Sequence, residues 1–500
     1  MIDITLPEGV IRGIENDWYR LWHGVPYAKP PIEEHRWKAP QPPEKWVGVR
    51  MATEPAAKPW QPASSGGMPS SSSVMSEDCL HLNICTPTDT PPKDGWPVLF
   101  FIHGGGDVTG SEDDLGQGEI FARQGIVVVK PDYRLGAFGF LNLATALDLP
   151  DEIDAGACGL LDQIAALQWT HDRIAAFGGN PNQITIYGES AGAKAIGNLL
   201  GSPMTKGLYS QAISSSGGAD DVGQPEATAQ VAHAFLKQLG VSNIDQLRKM
   251  PAQEILNAQN ALGIGVKGTW IWRATLHPKA APLVPIENIR AGCAAGVRLL
   301  VGNNCNEAAL FAHQSSLDTC IAPARDVLGN ILGEERLAQL LATYQKERNI
   351  DADHALLAGM GDERYAISTL READAQTAHG TVYRYRLDAV PAGLPNELKG
   401  AHGTDLFMVW QLPQMLKALP ATAPRQRLAT AVHDAWVSFI KTGTPTAEDL
   451  PKWPKYDIEK RQTMIFNDTS TIESDPRKYE RVIWGDTNWQ YGTWFPLPIQ

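Results

Sequence analysis

Gly188-Glu189-Ser190-Ala191-Gly192 constrains the fold of this chain more than any other stretch. It follows Ile184-Thr185-Ile186-Tyr187, a β-branched and aromatic run that reads as a strand. It precedes Ala193-Lys194-Ala195-Ile196-Gly197-Asn198-Leu199-Leu200, which reads as a helix. A serine with glycine two residues to either side, between strand and helix, predicts a sharp turn that lifts the serine oxygen above the end of a sheet. The reason is steric. The serine takes a strained backbone conformation, and the glycines let strand and helix pass close together. The helix N-terminus then lies beneath the serine oxygen and favours negative charge there. A glycine-rich surface turn is the alternative reading, but it requires neither the strand nor the helix.

A second motif reinforces the first. Pro97-Val98-Leu99-Phe100-Phe101-Ile102 is an uninterrupted apolar run, as a strand buried on both faces requires. It ends in His103-Gly104-Gly105-Gly106, where successive glycines present backbone N–H groups with no side chains in the way. An oxyanion hole in such a fold uses the N–H of the residue after the nucleophile, here Ala191, with donors from this loop. Gly105 and Gly106 are the candidate donors.

Strand-like and helix-like runs alternate, which predicts an α/β protein with a mainly parallel sheet covered by helices on both faces. Ile126-Val127-Val128-Val129 is a strand, an amphipathic helix runs from Leu160 to about Phe177, and 211–217 is the strand after the serine. The sheet resumes at 298–304 and again at Val382-Tyr383-Arg384-Tyr385-Arg386-Leu387, which alternates in character; 428–441 is a C-terminal helix. Residues 220–297 read as a mostly helical insertion over the sheet, within one domain spanning 1–500. The small polar stretch 61–76 reads as a mobile surface loop.

Charge narrows the partners. The chain carries 43 Lys+Arg against 56 Asp+Glu, a net of −13. Nucleic acid and anionic membranes both need clustered positive charge, so neither is expected. No run of 18 apolar residues is present to span a bilayer, and the N-terminus resembles no signal peptide. The six cysteines form no C-x-x-C pair and no zinc-spaced cluster, so they read as reduced core residues in a cytoplasmic protein, with no metal or cofactor.

A serine hydroxyl needs a base to take its proton and a carboxylate to orient that base. In the chain order of such sheets the acid follows the serine and the histidine comes last. His233 and His433 sit in helical patterns, and His379 lies at a helix C-terminus. His402 lies in a loop after the strand ending near Leu387, which favours it as the base. Glu307 follows the strand ending at Val301 across a polar loop, where an acid reaching the site from a strand end belongs; a solvated glutamate is the alternative.

At this point the chain resembles the type B carboxylesterases, which include the cholinesterases and bacterial p-nitrobenzyl esterases. The shared segments include HGVPYAKPP at 23–31, SEDCLHLNI at 76–84 and DYRLGAFGFL at 132–141. They continue with GLLDQIAALQW at 159–169, FGGNPNQITIYGESAGA at 177–193, VGNNCNEAALF at 301–311 and AHGTDLFMVW at 401–410. The resemblance implies the α/β-hydrolase fold and a serine carboxylic-ester hydrolase with Ser190 as nucleophile, Glu307 as acid and His402 as base. It implies an oxyanion hole at Gly105, Gly106 and Ala191. It also matches Glu189 to a buried glutamate beside the serine, and Ser216 to a serine supporting the acid.

Several positions depart from the family pattern. The cysteine that usually pairs with the one in SEDCL is missing, leaving Cys79 without that partner. Asp107 follows the glycine loop where an aromatic or apolar residue is usual, and Lys194 replaces a commonly small residue one turn beyond Ser190. The Asp-Gly signature before the acid strand is replaced by KAAPLVP at 279–285. A carboxylate beside an oxyanion hole would oppose the developing charge, so Asp107 is expected to point away or be paired. Asp107, Asp220 and Asp221 read as an acidic border to the pocket mouth that disfavours anionic substrates. Trp272, Trp410 and Trp436 fit pocket walls or core equally well. The implied partner is a small-molecule ester; a carbamate or amide hydrolase using the same triad is the nearest alternative, and a non-catalytic adhesion or scaffold protein a distant one. No feature assigns an oligomeric state.

Overall fold

Runs of β-branched and aromatic residues, buried on both faces, build the centre of the molecule. The computed structural model describes residues 1–62, 74–263, 265–390, 394–412 and 424–487. Its strands are β1 (Ile2–Leu6), β2 (Gly9–Glu15), β3 (Tyr19–Pro26), β4 (Val49–Met51), β5 (His81–Pro87), β6 (Trp96–Ile102), β7 (Val127–Pro131) and β8 (Gly179–Glu189). They continue with β9 (Gln211–Ser215), β10 (Val222–Gly223), β11 (Ala274–Thr275), β12 (Arg298–Asn304), β13 (Val382–Leu387), β14 (Gln462–Phe466) and β15 (Thr471–Ser474). One 13-stranded sheet runs in the order β1-β2-β3-β5-β7-β6-β8-β9-β12-β13-β14-β15, with β4 beside β2. Pairing is parallel from β7 through β14 and antiparallel toward both ends, apart from β4, which pairs parallel with β2.

Strand alternation sends successive residues to opposite cores. Val98, Phe100 and Ile102 of β6 join one core with Leu160, Ile164 and Leu167 of the helix Cys158–Arg173. Leu99 and Phe101 join the other core with Val432, Trp436 and Phe439 of the helix Pro424–Thr442. Parallel crossovers put every strand's C-terminal end on one edge, and Gly104, Ser190, Ser216 and Glu307 all lie just past those ends.

The expected central elements are present. The amphipathic helix runs Cys158–Arg173 and continues as a 3₁₀ turn, Ile174–Phe177. Residues 220–297 contain the helices Pro225–Leu239, Ile244–Arg248, Ala252–Leu262, Gly265–Ile271 and Pro285–Arg290, with the ribbon β10/β11. β13 differs from its alternating pattern in being buried along its full length. Arg384 is accommodated by donating to Thr463 Oγ1 and Asn303 Oδ1, and Arg386 by a two-pronged bond to Asp388. Sequence reading named no strand before 97, yet five precede it, and the helices Leu317–Arg348 and Ala352–Gly361 went unassigned. Of the loop expected at 61–76, residues 63–73 lie outside the described residues.

One buried ion pair ties the loop after β7 to the crossover helix. Arg134 Nε and Nη2 each donate to Asp162 at 2.7 Å, and the Arg134 N–H adds a third bond at 3.1 Å. Removing one partner strands a buried charge, whereas replacing both by apolar groups does not. Asp162→Ala is therefore expected to cost about 3–5 kcal/mol in urea unfolding. The double variant Arg134→Met/Asp162→Leu should be more stable than the single one; a double variant that is less stable would contradict this reading.

Candidate active site

The turn after β8 is set by backbone contact. A Cβ on Gly188 would lie 2.1 Å from the Gly192 carbonyl oxygen, and one on Gly192 would lie 2.1 Å from the Ile102 carbonyl oxygen. No other residue fits either position. Ser190 adopts φ 58°, ψ −125°, and its N–H is held by Ser215 O at 3.0 Å. The helix Ala191–Leu200 starts immediately afterwards, with its N-terminus at the serine.

Three distant side chains meet there. His402 Nε2 lies 2.7 Å from Ser190 Oγ, and His402 Nδ1 lies 2.7 Å from Glu307 Oε2. A carboxylate can only accept, so Nδ1 carries the proton and Nε2 is left to accept from the serine. Glu307 Oε1 accepts from Ser216 Oγ at 2.7 Å and from the Asn304 N–H at 2.6 Å. The His402 N–H donates to Glu307 O at 3.1 Å, tying the two loops together. Both carboxylate oxygens of Glu307 are thus committed, and its orientation is fixed.

The glycine loop abuts the serine: a Cβ on Gly104 would lie 3.0 Å from Ser190 Cβ. Gly105 and Gly106 take φ 105° and 64°, which favours glycine. Among the described residues, the N–H groups of Gly105, Gly106 and Ala191 have no hydrogen-bond acceptor.

Glu189 Oε1 lies 3.3 Å from His402 Nε2 and makes no hydrogen bond among the described residues. Burial pushes the Glu189 carboxyl up to about 8, against the pull of His402. Burial also opposes charge on His402, but the carboxylates of Glu189 and Glu307 outweigh it and hold the imidazole above its ordinary 6.5. Among the described residues, no group of three or more His, Cys, Asp or Glu side chains is arranged to hold a metal ion.

Every site residue singled out from the sequence gathers here. Two members of the expected acidic border are not exposed: Asp107 and Asp221 are buried, and Asp221 pairs with Lys194 Nζ at 3.0 Å and also with Arg273. Burial pushes Asp107 up to about 7, with Arg273 and Lys194 pulling the other way. Trp272, Trp410 and Trp436 are all core. Two residues went unrecognised. Tyr365 stacks on His402 at 4.2 Å between ring centroids, and Phe311 stacks on it at 5.6 Å. Phe311 closes the VGNNCNEAALF segment, so a signal was present. Tyr365 lies on a π-helical turn, Asp362–Ala366, inside a helical run, and no residue pattern announces such a turn.

Comparison with known proteins agrees with this geometry. The model of the carboxylesterase family matches residues 2–484. The para-nitrobenzyl esterase of Bacillus subtilis (strain 168) is 35% identical over 494 residues, covering 96% of this chain and 97% of that protein. The fumonisin B1 esterase of Sphingopyxis macrogoltabida is 31% identical over 485 residues, covering 92% and 85%. The solved carboxylesterase EST55 of Geobacillus stearothermophilus superposes with a TM-score of 0.85 at 34% identity, covering 97% of this chain and 100% of that one. The chain therefore belongs to the carboxylesterase family: it has the α/β-hydrolase fold and is a serine hydrolase of carboxylic esters.

Proposed function

We propose that Ser190 is the nucleophile, His402 the general base and Glu307 the residue that orients and charge-balances the imidazole, with Gly105, Gly106 and Ala191 as the oxyanion hole. What carries the reading is the unbroken chain Ser190 Oγ–His402 Nε2, His402 Nδ1–Glu307 Oε2, beside three N–H groups with no acceptor among the described residues. His402 takes the Ser190 proton as Oγ bonds to the ester carbonyl carbon. The oxyanion is held by the three N–H groups; losing one such donor raises the barrier by about 3 kcal/mol. The intermediate collapses, the alcohol leaves with the proton from His402, and water activated by the same imidazole releases the acid. Ser216 supports Glu307, and Glu189 lies against the imidazole.

The whole chain is read as one domain, because the sheet draws strands from Ile2 to Ser474. Residues 220–297 are read as the insertion that shapes the substrate pocket. Thr269 supports this, since a Cβ on Gly106 would lie 2.6 Å from its Cγ2. A cytoplasmic location is supported by six free cysteines, five of them buried. Among the described residues no helix is long and apolar enough to cross a membrane.

Ser190→Ala is expected to cut kcat on a chromogenic acetate by about 10³-fold or more with unchanged unfolding behaviour; parental turnover would remove the serine from the mechanism. Since the base acts when neutral, kcat/KM should fall on acidification with a midpoint above 6.5. Glu307→Gln deletes one carboxylate that holds this value up, so its residual activity should be lower by about 10³-fold or more and its acid limb should move to lower pH. A limb that stays in place would separate Glu307 from the base. Alkylation of the denatured, unreduced protein should label all six cysteines; a protected pair would contradict the cytoplasmic reading.

A further inference from the structure

We infer that Arg364 and Lys194, gathered around Tyr365 beside Ser190, together with Arg273, which shares Asp221 with Lys194, form a subsite for a carboxylate carried by the ester substrate. The inference rests on the triad reading above. Arg364 and Tyr365 share the π-helical turn Asp362–Ala366. The Arg364 guanidinium is buried at 4.8 Å from the Trp270 ring centroid, 5.7 Å from Phe311 and 5.5 Å from Tyr365. Phe311 and Tyr365 are the rings that flank His402. Arg364 Nη1 and Nη2 donate to Thr269 Oγ1 at 3.0 Å and Thr269 O at 3.2 Å. Thr269 in turn sits against Gly106 of the proposed oxyanion hole. The cation therefore stands one residue away from the reacting carbonyl.

Its charge is poorly compensated. Among the described residues Arg364 pairs with no carboxylate, and its buried Nε makes no hydrogen bond. Lys194 Nζ lies 5.9 Å from the Tyr365 centroid and shares one carboxylate, Asp221, with Arg273. Of the other acids nearby, Glu363 and Asp107 are held above the usual carboxylate range by burial, and Asp220 accepts from Ser368 Oγ at 2.7 Å. A buried guanidinium without a counter-charge is costly, and a substrate carboxylate provides one through charge-assisted hydrogen bonds. Its planar fork on apolar rings suits a carboxylate.

Two matched pairs of esters test this in steady state. The monoester para-nitrophenyl hemiglutarate against para-nitrophenyl valerate places the carboxylate on the acyl part; para-acetoxybenzoate against its methyl ester places it on the leaving part. In at least one pair the charged member should match or exceed the neutral one in kcat/KM. Arg364→Met should lower that charged-to-neutral ratio about tenfold, the worth of one charge-assisted bond. Lys194→Met should lower the same ratio and gives an independent reading if Arg364→Met does not fold. The subsite is overturned if both charged esters are turned over about tenfold more poorly by the unaltered enzyme, or if the ratio stays put in the variants. Turnover of the neutral esters that is lost in Ser190→Ala keeps the triad standing in either event.

Discussion

The site depends on a backbone contact in which no side chain fits. Gly188 meets the Gly192 carbonyl, Gly192 meets the Ile102 carbonyl, and Ser190 is held between them with a positive φ. Such a conformation costs on the order of 1–3 kcal/mol, which the surrounding sheet must offset. β8 pairs with β6 on one side and β9 on the other, and the Ser190 N–H is anchored by Ser215. Because β6 is the strand that passes so close, its own continuation, the glycine loop, is delivered to the serine. Strain at one residue thus brings a hydroxyl, a helix N-terminus and a set of N–H groups without an acceptor among the described residues to one point.

Around that point, burial makes charges strong and makes their placement matter. Two carboxylates approach the same imidazole in different environments. Glu307 has both oxygens satisfied by His402, Ser216 and the Asn304 N–H. Among the described residues Glu189 Oε1 makes no hydrogen bond, and burial raises the carboxyl to about 8. The same low dielectric makes Arg364 and Lys194 significant, because a buried cation must be compensated by something.

Much of this was legible beforehand. The continuous apolar run of β6 could only be a strand buried on both faces, and the serine motif between strand and helix announced its turn. Glu307 and His402 were singled out because both stand in loops after strands, and the family resemblance chose Glu307 over a solvated glutamate. The strands before β6 were not named; β1 reads IDITL and buries fully only Leu6, and β4 is three exposed residues, whereas β5 is buried throughout but reads HLNICTP, without a continuous apolar run. β13 concealed its burial behind two arginines whose partners, Thr463 and Asp388 among them, lie elsewhere in the chain or just past the strand. Asp107 and Asp221 looked like part of an acidic rim because a linear chain reveals neither their burial nor the pairing of Asp221 with Lys194 and Arg273.

The amino-acid sequence by itself determined the local devices: a glycine-flanked serine, a glycine loop after a buried strand, and a histidine and a glutamate in loops past strand ends. Each is announced by a short run of residues, so each is readable in consecutive positions even where, as for Gly192 against Ile102, the contact it serves is distant. Only the tertiary structure decided that Ser190 and His402, 212 residues apart, stand in hydrogen-bond contact, with Tyr365 stacked on the imidazole and Arg364 beside it. Those contacts follow from sheet order and from a helical turn widened by one residue, and such packing is settled by the whole core at once rather than by neighbouring residues.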